Sequence, residues 1–226
     1  HCYAHFRVTR APRLLGSGIA GGVAVVGAAV AAVVVLDIGQ DSTSEERTQL
    51  ERTALRALEL SESSYLPQDV VRWARSLRDG DTFTEEDQAA RSAIEDTAPE
   101  VLTANTQNNA AAIDQAFAGE ARKEIHRLRQ ESLTAFAAPT TPESRPLSGG
   151  VENVRWTGVT VTGDRAEMSG TVTCWSTMAT KNPETGTWTV LRPANGCSVR
   201  LVLEKADNGS WQVSEYQSDI IPGKGP

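Results

Sequence analysis

Along the chain the spacing of apolar residues changes twice. Residues 14–36 (LLGSGIAGGVAVVGAAVAAVVVL) form an unbroken uncharged run of 23. From there to about residue 137, apolar positions return every three or four residues, the period of a helix with one buried face. After Val151 they return every second residue, the period of a half-buried strand. Helices followed by strands predict an α+β fold, with helices covering one face of an antiparallel sheet.

In the helical part, Ser42-Thr43-Ser44-Glu45 fits a capping box, and Leu50, Ala54, Ala57 and Leu58 continue a buried stripe behind it. Residues 37–60 therefore read as a stalk that is also the first helix. Pro67 suits the first turn of a second helix carrying Val70, Val71, Trp73, Ala74 and Leu77, which Asp79-Gly80-Asp81 breaks. Thr82-Phe83-Thr84-Glu85 predicts the restart of a third helix running to about Thr97, ahead of Pro99. Residues 100–118 read as mixed loop and helix. FAGEARKEIHRLRQESLTAF predicts a clear helix with Ala121, Ile125, Leu128 and Leu133 buried. The stretch APTTPESRPLSGG, residues 138–150, predicts a linker or long loop.

The segments VENVRWTGVTV, DRAEMSGTVTCWSTMAT, TWTVL, CSVRLVLEKA and SWQVSEYQ predict a curved antiparallel sheet of about four or five strands over residues 151–221. Ala166, Met168, Val172 and Cys174 share one inward phase, and Cys197, Val199, Leu201 and Leu203 share another. Gly158 sits where the phase shifts from Val154/Trp156 to Val159/Val161, which predicts a bulge. If Thr185-Gly186 is a two-residue hairpin loop, Cys174 and Cys197 face each other directly and are placed for a disulfide. A bulge at Pro193 or Asn195-Gly196 would shift that register. One such sheet needs the helices to cover it, so residues 61–226 are expected to form one domain.

Charge changes the picture at the N-terminal end. Residues 1–36 carry +3, residues 37–150 carry −9 and residues 151–226 carry −1, for a net −7. A bilayer core takes roughly 20 apolar residues as a helix, so residues 14–36 predict a single transmembrane helix. Arg7, Arg10 and Arg13 before it, and Asp37, Asp41, Glu45 and Glu46 after it, place residues 1–13 in the cytoplasm and the rest outside the cell membrane. A cleaved signal peptide and a buried helix are the rival readings; the run ends in bulky VVVLDI rather than a small-x-small site. Gly18, Gly22, Ala20, Ala24, Ala28 and Ala32 form a small-residue stripe on which two such helices would pair. The acidic balance gives no basic surface for nucleic acid. Eighteen arginines against four lysines, with abundant alanine, match the codon usage of a GC-rich genome.

The order of several helices, then VTVTGDRAEMSGTV, a hairpin and LVLEKADNGSWQVSEYQ, resembles the cone-shaped α+β fold of nuclear-transport-factor-two-like proteins, polyketide-cyclase-like enzymes among them. A strand of the form v-x-G-D-x-A-x-v falls on Val161–Met168, and a late l-x-k-x-x-x-x-W-x-V falls on Leu203–Val213. With the apolar run, the chain looks like actinobacterial membrane-anchored members, such as mammalian-cell-entry-associated proteins. The resemblance covers about 75 C-terminal residues. It implies a curved sheet closed over by helices, an interior able to hold a pocket with an Asp/His pair, and an envelope setting.

Candidate chemistry is sparse. His126 is the one histidine in the predicted folded part; its cationic neighbours make it a solvated residue first and a weak acid/base candidate second. CxxC, HExxH, G-x-S-x-G and phosphate-loop patterns are absent from the sequence, and His1 and His5 lie ahead of the apolar run, so no metal and no cofactor is expected. Glu85/Glu86 and Glu95/Asp96 read as solvated helix charges. Trp211 suits a core position, while Trp175 and Trp188 lie on the phase opposite the inward residues and are expected to be partly exposed, as a cross-strand pair or a partner face. The expected function is a non-enzymatic, membrane-tethered extracytoplasmic accessory or scaffold that binds protein partners in an envelope or transport complex. The alternatives are a small-ligand binder or enzyme with an interior pocket near His126, and a component of a conjugation or secretion apparatus.

Overall fold

The computed structural model describes residues 44–104 and 109–222. The uncharged run 14–36, its small-residue stripe and Cys2 lie outside the described residues; among those described, no helix is long and apolar enough to cross a membrane. Six helices come first: α1 (Ser44–Ser63), α2 (Gln68–Ala74), α3 (Gln88–Asp96), α4 (Pro99–Ala104), α5 (Ala110–Ala116) and α6 (Gly119–Phe136). A two-residue strand, β1 (Thr82–Phe83), interrupts them. Then come β2 (Ser144–Thr162), β3 (Arg165–Lys181), β4 (Trp188–Leu191), β5 (Ala194–Lys205) and β6 (Trp211–Ile220).

All strand pairs of the six-stranded sheet are antiparallel. The long strand β3 is its spine. β2 runs along one edge of β3, while β5 and then β4 occupy the other, with Arg192-Pro193 between them. β6 extends the sheet beyond β5, and β1 extends it beyond β4. The predicted α+β class and the antiparallel sheet are both present. The predicted bulge appears as a register shift between Trp156 and Gly158.

Three local expectations are corrected. Thr82 and Phe83 pair with Thr189 and Trp188 rather than opening a helix. The third helix starts after Asp87, whose carboxylate accepts hydrogen bonds from the amides of Ala89 and Ala90. The stretch expected to be a linker is strand from Ser144 onward, paired with Thr180 through Trp175. Its Pro146 lies in an outer strand, where proline is tolerated, and a register shift separates it from Ser148.

Burial along β3 alternates, and the alternation changes phase partway. Ala166, Met168 and Val172 are buried at the first end; Trp175, Thr177 and Ala179, on the opposite face, are buried at the second. Two sets of helices explain this. α1, α5 and α6 cover one face over the first half, enclosing Leu50, Leu58, Ile113, Phe117, Ile125 and Leu201. α2 and α3 cover the other face over the second half, with Val70, Ala74, Ala93 and Ile94 packed on Leu147, Ala179 and Trp188. Each buried aliphatic or aromatic side chain contributes about 1.5–3 kcal/mol relative to exposure, so both layers hold the sheet.

Gly149 and Gly150 mark the crossover. A Cβ on Gly149 would lie 2.6 Å from the Glu62 carbonyl oxygen of α1, and one on Gly150 would lie 2.9 Å from the Trp175 ring on the other face. Side chains at these two positions would hold the helix layer and the tryptophan off the strand.

Candidate functional site at the open end of the sheet

The predicted sites are redistributed. His126, on α6, meets Asp114 of α5 with Nε2 3.0 Å from Oδ1, and Arg122 Nε stands 3.8 Å from the same carboxylate oxygen. The Asp/His pair therefore exists, but its side chains are 36 % and 54 % exposed, on the outer side of the helices. Nothing there excludes water or presents a second reacting group.

Trp175 and Trp188 do face away from the inward set, as their phase requires, yet both are buried. The reason is the second helix layer. Trp188 stacks on Phe83 at 6.4 Å and donates its indole N–H to Glu85 Oε1 at 3.3 Å, while Lys181 Nζ binds the same oxygen at 2.8 Å. These hydrogen bonds, from Lys181 first and Trp188 second, hold the Glu85 carboxyl below the usual carboxylate range. Trp175 carries the Arg192 guanidinium 4.0 Å above its ring, and that guanidinium also donates to the Leu77 carbonyl at 2.9 Å. The two tryptophans are structural, and the expectation of a partner face on them is corrected.

The cysteine register is also corrected. β3 ends at Lys181 and β4 begins at Trp188, so the connection is six residues, 182–187, rather than two. It is fastened by Asn182 N–H to the Thr187 carbonyl and by Gly186 N–H to the Asn182 carbonyl. Cys174 consequently opposes Asn195, and Cys197 opposes Val172. The two cysteines are diagonal neighbours on one face, and both are free thiols.

That face, where α1 ends, gathers the groups the sequence did not single out. Glu62 from the last turn of α1 is half-buried between the strands and the helix end. Burial first, and the nearby Cys197 second, push its carboxyl up from 4.5 to about 7. Among the described residues none donates a hydrogen bond to it. Tyr216 of β6 meets Ser61 Oγ at 3.2 Å, and burial beside Glu62 raises its phenol above the usual tyrosine range. Tyr65 is raised in the same way and stacks on Phe136 at 5.5 Å. Electrostatically each thiol acts mainly on the other: the Cys197 thiol is held down and the Cys174 thiol is pushed up, so one thiolate, at Cys197, is favoured over a second at Cys174. The groups around Glu62, hereafter the recess, are thus a neutral-leaning carboxyl, two phenols and two thiols.

Beyond the recess, no helix among the described residues covers the same face toward the hairpin. Ser176, Met178 and Ser218 are half-exposed, Thr189 is exposed, and Leu191 and Ile220 are 51 % and 52 % exposed. A concavity of about 500 Å³, open to solvent, lies at its far end against Pro142, Thr180, Leu191 and, on its rim, the charged Lys181 and Glu184. Inside that rim, the apron of sheet formed by Ser176, Met178, Ser218, Thr189, Leu191 and Ile220 carries no charged side chain. The uncovered face at the opposite end of β3 differs sharply: Arg165 lies within 3.3–3.6 Å of Glu204, Glu167 and Glu215, and Arg200 pairs with Glu167 at 3.2 Å. Such solvated pairs contribute little to stability, about 0–1 kcal/mol each, but they keep that face wet.

No family model and no curated protein matches the chain. Among solved structures, the intermembrane space region of the chloroplast protein ARC6 is similar at 12 % identity and TM-score 0.35, over 58 % of this chain and 88 % of that one. An NTF2-like protein with a cystatin-like fold from Novosphingobium aromaticivorans is similar at 19 % identity and TM-score 0.26, over 62 % of this chain and 91 % of that one. At these values the likenesses assign no site and no activity.

Proposed function

We propose that the chain is a membrane-tethered, extracytoplasmic domain of the cone-shaped, nuclear-transport-factor-two-like kind that binds a protein partner in a cell-envelope or transport complex. The observation that carries this reading is the uncharged apron. In a chain whose residues are 23 % charged, one continuous sheet face presents Ser, Thr, Met, Leu and Ile to solvent. An exposed apolar surface rimmed by polar residues suits a protein partner with a neutral, apolar-and-hydroxyl surface. The interior supports the same reading, since apolar side chains fill the space between α1, α5, α6 and the sheet where a cone-fold ligand would sit. Tethering rests on the uncharged run 14–36, which seven residues separate from the start of α1 at Ser44.

The test is a photo-crosslinking residue placed in turn at Leu191, Ile220 and, on the charged face, Glu204 of the full chain in membranes. Adducts at the first two positions and none at Glu204 are expected, with Leu191→Asp abolishing the adduct formed from position 220. Equal labelling at all three positions, or none at Leu191 and Ile220, refutes the assignment. A reporter fused after Asp37 tests the orientation separately: activity confined to the cytoplasm overturns it.

A second reading is favoured by Glu62. A half-buried carboxyl lacking a hydrogen-bond donor among the described residues suits a small ligand that donates to it, or a proton-transfer step. That reading moves the alternative site from His126 to the recess.

A further inference from the structure

We infer that Cys174 and Cys197 form a reversible intramolecular disulfide beside Glu62, closed and opened by thiol–disulfide exchange. This goes beyond the partner-binding proposal and does not depend on it. The two residues lie on adjacent paired strands, on the same face, and two residues off direct opposition, with Cys197 opposite Val172 and Cys174 opposite Asn195. Diagonal cross-strand neighbours lie about 7–8 Å apart, their Cβ atoms somewhat less, so a bridge draws the two strands together at this point. Cys197 leans back along β5, its Sγ 3.8 Å from the Asn195 carbonyl, that is, toward the level of Cys174.

Accessibility orders the steps. Cys174 is half-exposed on the open face, whereas Cys197 is 4 % exposed. An external disulfide therefore reaches Cys174 first. The Cys174 sulfur attacks it as its proton passes to the Cys197 thiolate, the member of the pair whose deprotonation is favoured, forming a mixed disulfide and releasing one thiol of the oxidant. The Cys197 sulfur then attacks the Cys174 sulfur, forming the internal bond and releasing the second thiol. The two cysteine protons end on the two released thiols; the protein pair is oxidised by two electrons and the external disulfide is reduced by two. A dithiol reductant runs the sequence backwards. In an oxidising compartment the bridged form persists.

The bridge would close a loop of 24 residues and tie the start of β5 to β3 beside Glu62. By the chain-entropy relation it should raise Tm by about 5–10 °C.

The probe is glutathione disulfide, added to the full-length chain carrying Cys2→Ser, followed by alkylation of remaining thiols and peptide mass spectrometry. Expected are loss of both alkylatable thiols, a linked pair of peptides containing Cys174 and Cys197, an unchanged monomer on a non-reducing gel, and full reversal by dithiothreitol. Cys197→Ser should then trap glutathione on Cys174, while Cys174→Ser should take up at least tenfold less. Two thiols still alkylatable after oxidation, glutathione carried separately on each cysteine, or a bridge only between chains overturns the inference. The thiol count on the chain with both residues intact stands whether or not the single variants fold.

Discussion

Glu62→Gln tests the recess most directly, because it removes one titration and little else. The carboxyl rises from 4.5 to about 7 on folding, so the folded state holds a proton that the unfolded chain gives up between those values. A group raised in this way favours folding fully below its unfolded value, and that contribution is lost as pH climbs through the folded value. At about 1.4 kcal/mol per pH unit, the loss across the window is about 3 kcal/mol, with a plateau on either side. The measurement is urea unfolding followed by tryptophan fluorescence, for both proteins, at a series of pH values from below 4.5 to above 7. With a urea slope of about 2 kcal/mol/M, the midpoint of the unmodified chain should fall by about 1.5 M relative to the glutamine variant across that range. Glu85 and Glu167, whose carboxyls are held low by Lys181 and Arg200, act in the opposite sense at lower pH. They are common to both proteins, and the difference between the curves removes them. Parallel curves, separated by a constant offset through the window, would show that water reaches Glu62 freely and that the recess is no special environment.

Other outcomes follow from packing. Gly149→Ala sets a methyl 2.6 Å from the Glu62 carbonyl and should cost about 1–3 kcal/mol in chemical denaturation as α1 lifts from β2. Trp188→Ala empties the second helix layer and should cost about 3–5 kcal/mol, measured in the same way, whereas a surface tryptophan would cost almost nothing. His126→Ala should change stability by under about 1 kcal/mol, and less still in high salt, because its pair with Asp114 is open to water; a larger loss would give the pair a role that its exposure argues against.

The secondary structure was legible wherever one buried face repeats along an element. Leu50, Ala54, Ala57 and Leu58 face the core of α1, and Ala121, Ile125 and Leu133 face it on α6, as their spacing requires. The inward set of β3 and β5 and the core position of Trp211 were equally plain. Periodicity reports which residues share a face, and it reports nothing about what covers that face. Trp175 and Trp188 show the difference: their phase was right, and their burial was decided by α2 and α3 arriving on the far side of the sheet. The Gly149-Gly150 pair reads as linker because glycine has no pattern; its meaning lies in two neighbours, a helix carbonyl and an indole, drawn in from opposite faces.

What the sequence by itself determined was the class of fold, the helix and strand faces, and the uncharged run 14–36, because each depends on local spacing and composition. Only the tertiary structure decided the register and the site. A six-residue hairpin connection set Cys174 diagonal to Cys197, and the end of α1 carried Glu62, one acid among 29, to Cys174, Cys197 and Tyr216 on three different strands. Register depends on turn geometry, and a raised carboxyl pKa depends on burial by distant chain, so neither is encoded at the residue where its consequence appears.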